Sequence, residues 1–272
     1  MGLFDGKAVW ITGGGSGIGR AVALAFAQEG ASVAVSGRRQ ARIDKVAEEI
    51  QAMGQHAIAV QCDVTDEEQV QHAVKEVVAG LGKLDVAIAN AGFSVGGPFE
   101  KISAADWRRQ LDVNVVGAAT TARVALPHLR ETKGRIAFVA SVAGMVAIPK
   151  SSAYCASKFA LRAIGLSLSA ELHGSGVSCT TLNPGFVESE INQVDNKGKF
   201  HESRKDTRPA KFMWPTDKAA RVMLKAIHRR KREYTFTGHG KVGGWMGRHM
   251  PGAVHFAMTR NKAKKSATKV TG

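Results

Sequence analysis

Ala8-Val9-Trp10-Ile11-Thr12 runs without a break into Gly13-Gly14-Gly15-Ser16-Gly17-Ile18-Gly19, and on into Arg20-Ala21-Val22-Ala23-Leu24-Ala25-Phe26. An apolar, β-branched run, then glycines, then residues of helical period reads as strand, tight turn and helix. Glycines at such a turn let backbone N–H groups approach an anion at the helix N-terminus, where the helix dipole favours negative charge. The last of them also lets the helix lie close on the strand. A purely structural turn would look the same in isolation. The position of this one, between the first strand and first helix of a βαβ unit, makes it a pyrophosphate cradle. Gly13, Ser16, Gly17, Ile18 and Gly19 are the expected dinucleotide contacts.

Outward from this turn the same alternation continues. Strand-like runs fall at 8–12, 32–36, 57–61, 84–89, 135–141, 177–183 and 233–237. Helical stretches fall between them at 17–29, 39–53, 66–81, 104–131, 151–174 and 216–231. Most strands are continuous apolar runs, as in a parallel sheet buried on both faces. Gly30, Gly54, Gly82, Gly134 and Gly174 or Gly176 stand where helices should stop. The pattern predicts an α/β fold: a doubly wound, mainly parallel sheet of about seven strands with helices on both faces. No repeat or Pro/Gly/Ser linker divides it, so residues 1–238 read as one domain. The long irregular connection 186–215 is a candidate lid, and 239–272 is a basic extension.

The chain has 272 residues, 44% hydrophobic and 22% charged, which excludes a disordered or collagen-like protein. No apolar run reaches membrane-spanning length, and the N-terminus does not read as a signal peptide. Cys62, Cys155 and Cys179 are scattered and odd in number, which suits a reducing cytoplasm. The net charge of +15 is unevenly placed: residues 195–272 hold 20 Lys and Arg against 5 Asp and Glu, and the remainder balances to zero.

The end of the second strand bears on which dinucleotide binds. An acid there accepts hydrogen bonds from the ribose hydroxyls of NAD and repels a 2′-phosphate. Here the stretch is Ser36-Gly37-Arg38-Arg39, with no acid between Glu29 and Asp44. Two guanidiniums offer forked donors to a phosphate dianion. Read instead as a solvated helix start, they would sit unfavourably at the positive end of the dipole. NADP(H) is therefore expected in preference to NAD(H).

Tyr154-Cys155-Ala156-Ser157-Lys158 places a phenol and an ammonium on one helix face. A fixed cation brings a phenol toward a working pKa for proton transfer. With Thr12–Gly19, Asp63-Val64, Asn90-Ala91-Gly92, Asn114, Ser141 and Pro184-Gly185 in this order, the chain resembles the single-domain short-chain dehydrogenases/reductases over residues 5 to about 238. That resemblance implies a Rossmann-type fold and NAD(P)-linked interconversion of carbonyl and alcohol. It makes Tyr154 the proton donor and acceptor, Lys158 its partner and a ribose ligand, and Ser141 the holder of the substrate oxygen. It gives Asn114 a water between Lys158 and solvent. Asp63 and Val64 would flank the adenine, Asn90 and Gly92 the adenosine ribose, and Pro184, Gly185 and Val187 the nicotinamide. One departure is Ala89 where the family commonly has Asn.

Other residues read as structural. Cys155 has no histidine neighbour to activate it, and the histidines show no metal-binding spacing. Trp107-Arg108-Arg109 reads as helix surface, and Asp112 and Glu171 as surface charges. The segments 93–99 and 142–148 are almost uncharged, which points to an apolar or aromatic substrate. The lid's Lys197, Lys199, Arg204, Lys205, Arg208 and Lys211 keep an acidic substrate group open.

A non-catalytic NADP-binding scaffold and a membrane-surface reductase of lipid-like or acyl substrates are the competing functions. A sugar-nucleotide epimerase would need a longer substrate domain. Nucleic acid is disfavoured for want of any recognition signature. Small and apolar residues on more than one face of 151–172 point to a homodimer or homotetramer. In the extension, Val242, Trp245/Met246, Met250, Val254 and Ala257/Met258 recur at helical steps, Pro251 can start a second helix, and Arg260, Lys262, Lys264 and Lys265 follow. This face either meets an anionic membrane, making the protein cytoplasmic but peripheral, or packs on the body or a sister subunit.

Overall fold

The computed structural model describes residues 2–204, 206 and 208–267, with side chains through residue 260. Lys205 and residues 268–272 lie outside the described residues, as do the side chains of Lys262, Lys264 and Lys265. Strands β1 (Ala8–Thr12), β2 (Ser32–Gly37), β3 (Ala57–Gln61), β4 (Val86–Ala89), β5 (Arg135–Val139), β6 (Ser178–Asn183) and β7 (Glu233–Thr235) form one sheet. Their order is β3-β2-β1-β4-β5-β6-β7, and every pairing is parallel. All five residues of β1 and all four of β4 are buried, which is why those segments read as runs rather than alternations.

Helices α1 (Gly17–Gln28), α2 (Gln40–Gln51) and α7 (Thr216–His228) close one face of the sheet around Val9, Phe26, Ile43 and Met223. Helices α3 (Glu67–Leu81), α5 (Gly117–Glu131) and α6 (Ser152–Glu171) close the other around Trp10, Val74, Leu129 and Phe138. The doubly wound sheet expected from the alternation is thus present with helices on both faces. Strand order reverses beside β1, between β1 and β4, so a crevice opens at the carboxyl ends there.

Some boundaries differ from the sequence reading. The stretch 104–131 is interrupted: α4 (Ala104–Leu111) passes through a π-turn, Asp112–Val116, into α5. The extra residue in that turn swings Asn114 inward to full burial. The fifth strand stops at Val139, because Ser141 leaves the ladder to cap a 3-10 turn, Val142–Gly144. After α5 the left-handed residue is Lys133 (φ 50°), not Gly134. Gly134 is needed for close approach, since a Cβ there would lie 2.5 Å from the Asp85 carbonyl.

Beyond β7 come α8 (Gly238–His249) and α9 (Pro251–Ala267). Helix α8 lies on the β5–α6 connection through Gly240, Gly244 and Gly247, which face Val142, Met145 and Val146. A Cβ at position 247 would stand 2.3 Å from the Met145 carbonyl oxygen. Arg248 pins the helix by donating to Glu233 at 3.1 Å. The apolar side chains Val242, Trp245, Met250 and Phe256 remain exposed. The contacting face is the glycine face. Among the described residues, no helix is long and apolar enough to cross a membrane.

Candidate active site

The carboxyl ends of β1, β2, β4, β5 and β6 open into a cleft of about 510 Å³. It is lined by Gly13, Ser16, Gly17, Ile18 and Gly19, by Arg38 and Arg39, and by Asp63 and Val64. Asn90, Gly92, Ser141, Tyr154, Lys158, Pro184, Gly185 and Val187 complete that part of the lining. Of the expected catalytic and cofactor residues, Asn114 alone does not line it; of the uncharged segments 93–99 and 142–148, Phe93 alone does.

The phosphate end fits its expected ligand. Gly13 and Gly17 are left-handed, with φ of 65° and 50°. A Cβ on Gly19 would stand 2.2 Å from the Gly13 carbonyl oxygen, so the turn closes only with glycine there. Neither a side-chain cap nor a first-turn acid shields the start of α1, so its backbone donors suit a pyrophosphate. Asn90 ties the turn to β4, its amide donating to the carbonyls of Thr12 (3.0 Å) and Gly13 (3.1 Å). Arg38 and Arg39 are exposed at the adenosine end, with Arg38 3.9 Å from Asp63.

At the other end Tyr154 and Lys158 share one turn of α6. The Lys158 ammonium donates to the Val139 carbonyl at 2.8 Å and lies 5.7 Å from the centre of the Tyr154 ring. Burial pulls the Lys158 pKa down to about 8, which leaves it mostly protonated at neutral pH. Burial pushes the Tyr154 phenol up, while the Ser141 hydroxyl and the Arg208 charge pull it back. Ser141 itself accepts from the Ala143 N–H at 3.1 Å. The site therefore holds a neutral phenol beside a cation, poised to give a proton.

Asn114 sits behind this pair. Its amide donates to the Phe93 carbonyl (3.0 Å) and the Ser157 hydroxyl (3.1 Å) and accepts from the Phe93 N–H (3.1 Å). Both ends of the amide are thus engaged in fixing the β4 exit to α6.

The lid, 186–215, folds over the cleft through a bridge between Val187 and Trp214 and another between Val194 and Phe200. Three of its contacts carried little or no sequence signal. Arg208, one of six lid cations by sequence, lines the cleft and donates to the Val187 carbonyl at 2.9 Å, whereas Lys197, Lys199 and Lys211 are exposed. His239 accepts from the Phe186 N–H at 2.9 Å, stacks on Phe186, and keeps a lowered pKa through burial. Arg109 donates to the Asn196 carbonyl at 2.9 Å, and Trp107 packs beside Phe93 and Val95. Of the three residues read as helix surface, only Arg108 is wholly exposed. Cys155 is buried with its thiol pushed up by burial, so it packs rather than reacts. Asp112 and Glu171 are exposed.

Comparison with known proteins agrees with this geometry. The family described as short chain dehydrogenase matches residues 7–199. A short chain dehydrogenase of Pseudocercospora fijiensis is 40% identical over 72% of this chain, and the match spans 64% of that protein's length. A short chain dehydrogenase/reductase of Burkholderia phymatum, solved in complex with NAD, superposes with a TM-score of 0.77 at 29% identity, over 86% of this chain and 89% of that one. A short chain dehydrogenase of Burkholderia cenocepacia, solved with NADP, gives 0.77 at 28%, over 88% and 99%. With the sheet, the glycine turn and the Ser141, Tyr154 and Lys158 group all on one scaffold, the chain belongs to the short-chain dehydrogenase/reductase family of oxidoreductases.

Proposed function

We propose that the protein interconverts a carbonyl and an alcohol with NADP(H) preferred over NAD(H), on an apolar or aromatic substrate. The observation that carries this reading is the meeting of Ser141, Tyr154 and Lys158 with the glycine turn in one cleft. A nicotinamide dinucleotide supplies or accepts the hydride when bound. Gly13, Ser16, Gly17, Ile18 and Gly19 hold its pyrophosphate in this reading, and Arg38 and Arg39 the 2′-phosphate. Asp63 and Val64 flank the adenine, Asn90 and Gly92 the adenosine ribose, and Pro184, Gly185 and Val187 the nicotinamide. Ser141 orients the substrate oxygen, and Tyr154 gives it a proton or takes one. Lys158, still charged at neutral pH, stabilises the phenolate left behind. Asn114 keeps the wall behind them fixed.

The cleft walls support that substrate class. Phe93, Val113, Ile191 and Val194 line the cleft, and Arg208 is the one lid cation lining it among the described residues. Its guanidinium is already engaged by Asp206 and two lid carbonyls. An apolar body with one reacting oxygen suits that surface.

Replacing Tyr154 by Phe removes the proton and little else. We expect kcat with a panel of aromatic ketones to fall by about 10²- to 10⁴-fold. Nucleotide affinity should stay unchanged, and ordinary turnover by the variant would remove the mechanism.

Two further readings concern surfaces. A homodimer or homotetramer is supported by Val116 and Phe159, exposed on the π-turn and α6; light scattering would then give a mass above one chain. Peripheral contact with an anionic membrane, from a reducing cytoplasm that suits three free cysteines, is supported by exposed Trp245 and Phe256 beside the basic end.

A further inference from the structure

Two of the arginines at the adenosine end are already held by a carboxylate from the lid. Glu190 opens the 3-10 turn Glu190–Gln193. Its Oε1 accepts from Arg42 at 2.8 Å, and its Oε2 lies 3.6 Å from the Arg39 guanidinium. Oε2 is buried and has no hydrogen-bond partner among the described residues. The Phe200 ring lies under both cations, 5.7 Å from Arg39 and 5.5 Å from Arg42. Ser189, the residue before Glu190, stands 3.4 Å from where a Cβ on Gly17 would be, so the carboxylate enters beside the phosphate turn.

A cluster like this treats the two dinucleotides differently. A 2′-phosphate reaching for Arg39 has to share it with a carboxylate, and like charges in a partly dry cleft repel. A ribose 2′-hydroxyl carries no charge, so the Glu190 carboxylate does not repel it. We infer that Glu190 is a specificity-determining residue. It supplies, from the far side of the cleft, the acid missing at the end of β2, and it narrows the preference for NADP over NAD. This rests on the reading that the arginines receive the 2′-phosphate. Cofactor choice is then a contest between Arg39 with Arg42 on one side and Glu190 on the other, within one ion-paired group.

The test is calorimetric titration of the full-length protein with NADP⁺, NAD⁺, 2′,5′-ADP and 5′-AMP at low salt. Glu190→Gln keeps the shape and removes the charge. We expect it to raise the ratio of the NAD⁺ to the NADP⁺ dissociation constant about tenfold. The gain should appear in 2′,5′-ADP but not in 5′-AMP, and should shrink at high salt. NAD⁺ binding by the variant certifies its fold, and Glu190→Met repeats the test without any acceptor. A ratio unchanged in both variants overturns the inference. Arg39→Ala separates the two readings: a ratio lowered by it but untouched by Glu190→Gln removes the role of Glu190 alone. A ratio raised by Glu190→Gln but untouched by Arg39→Ala keeps Glu190 and removes Arg39 as the phosphate ligand.

Discussion

On the adenosine side of the cleft, each wall is a short turn at the end of a strand, and the residues that shape it are neighbours in sequence. Gly13 to Gly19 lie within seven positions, and Arg38 and Arg39 directly follow β2. On the other side the wall comes from a thirty-residue lid, which α8 braces from behind through His239. There the decisive contacts join residues far apart, such as Arg109 to Asn196 and His239 to Phe186. The first side is specified by backbone conformation, which only certain residue types permit. The second is specified by side chains and close approaches that depend on the whole fold. A motif is the visible trace of the first kind of constraint and leaves little trace of the second.

Two glycines separate the two sides of the cleft most sharply. At Gly19 a side chain would strike the Gly13 carbonyl at 2.2 Å and the Asn90 amide at 2.5 Å. Gly19→Val should weaken NADP⁺ binding more than about 100-fold, because the cradle cannot close, an overpacking cost of at least ~3 kcal/mol. At Gly247 the obstacle is the Met145 carbonyl in the β5–α6 connection. Gly247→Val should lower stability by about 1–3 kcal/mol as α8 lifts from that connection and loosens its hold on the lid. Its NADP⁺ affinity should match the parent's while KM for a ketone rises. Equal loss of nucleotide affinity in both variants would show that the two sides are one unit.

The same contrast explains what the sequence disclosed. The parallel sheet, its helices and the cleft residues were legible because glycine turns, buried runs and the Tyr154–Lys158 spacing follow from local geometry. Helix α8 was legible as a helix but not in its facing. Apolar periodicity pointed to Val242, Trp245 and Met250, whereas the helix seats through Gly240, Gly244 and Gly247, which have no side chain to register. Asn114 was found by its family pattern, yet its π-turn was invisible, since an extra residue in a helix changes no composition. Glu190 was hidden because nothing local links it to Arg42, 148 residues away.

A smaller effect should appear in the pH profile, which reads the substrate side alone. Below about pH 8, Lys158 is charged and Tyr154 neutral, the state needed to give a proton. Reduction should therefore hold steady toward neutral pH and decline above about 8, approaching tenfold per unit once Lys158 has lost its proton. Oxidation starts from the phenolate beside a charged Lys158, so its rate should rise with pH up to about 8 and then level off. Nucleotide affinity, set at the other end, should move little across these pH values. Parallel pH dependence of reduction and oxidation would contradict the assignment of the proton to Tyr154.

The weakest expected effect lies on the outer face of α8 and α9. Trp245 is 57% exposed and Phe256 63%, and the last 78 residues carry the whole net charge of +15. Exposed aromatic residues beside cations suit the interface of an anionic bilayer, where each cation near the surface adds about 1 kcal/mol. Deleting the extension would also strip α8 from the β5–α6 connection, so only outward-facing point variants isolate this contact. Full-length protein should co-sediment at low salt with vesicles rich in phosphatidylserine, and not with neutral ones. Trp245→Ser should weaken that binding about three- to tenfold, because part of the ring is already covered by the protein before any lipid is met. Turnover of a water-soluble ketone should be unaffected. If the full-length protein stays in the supernatant with anionic vesicles, the basic end has another partner, and the exposed face of α8 is open to a second copy of the chain.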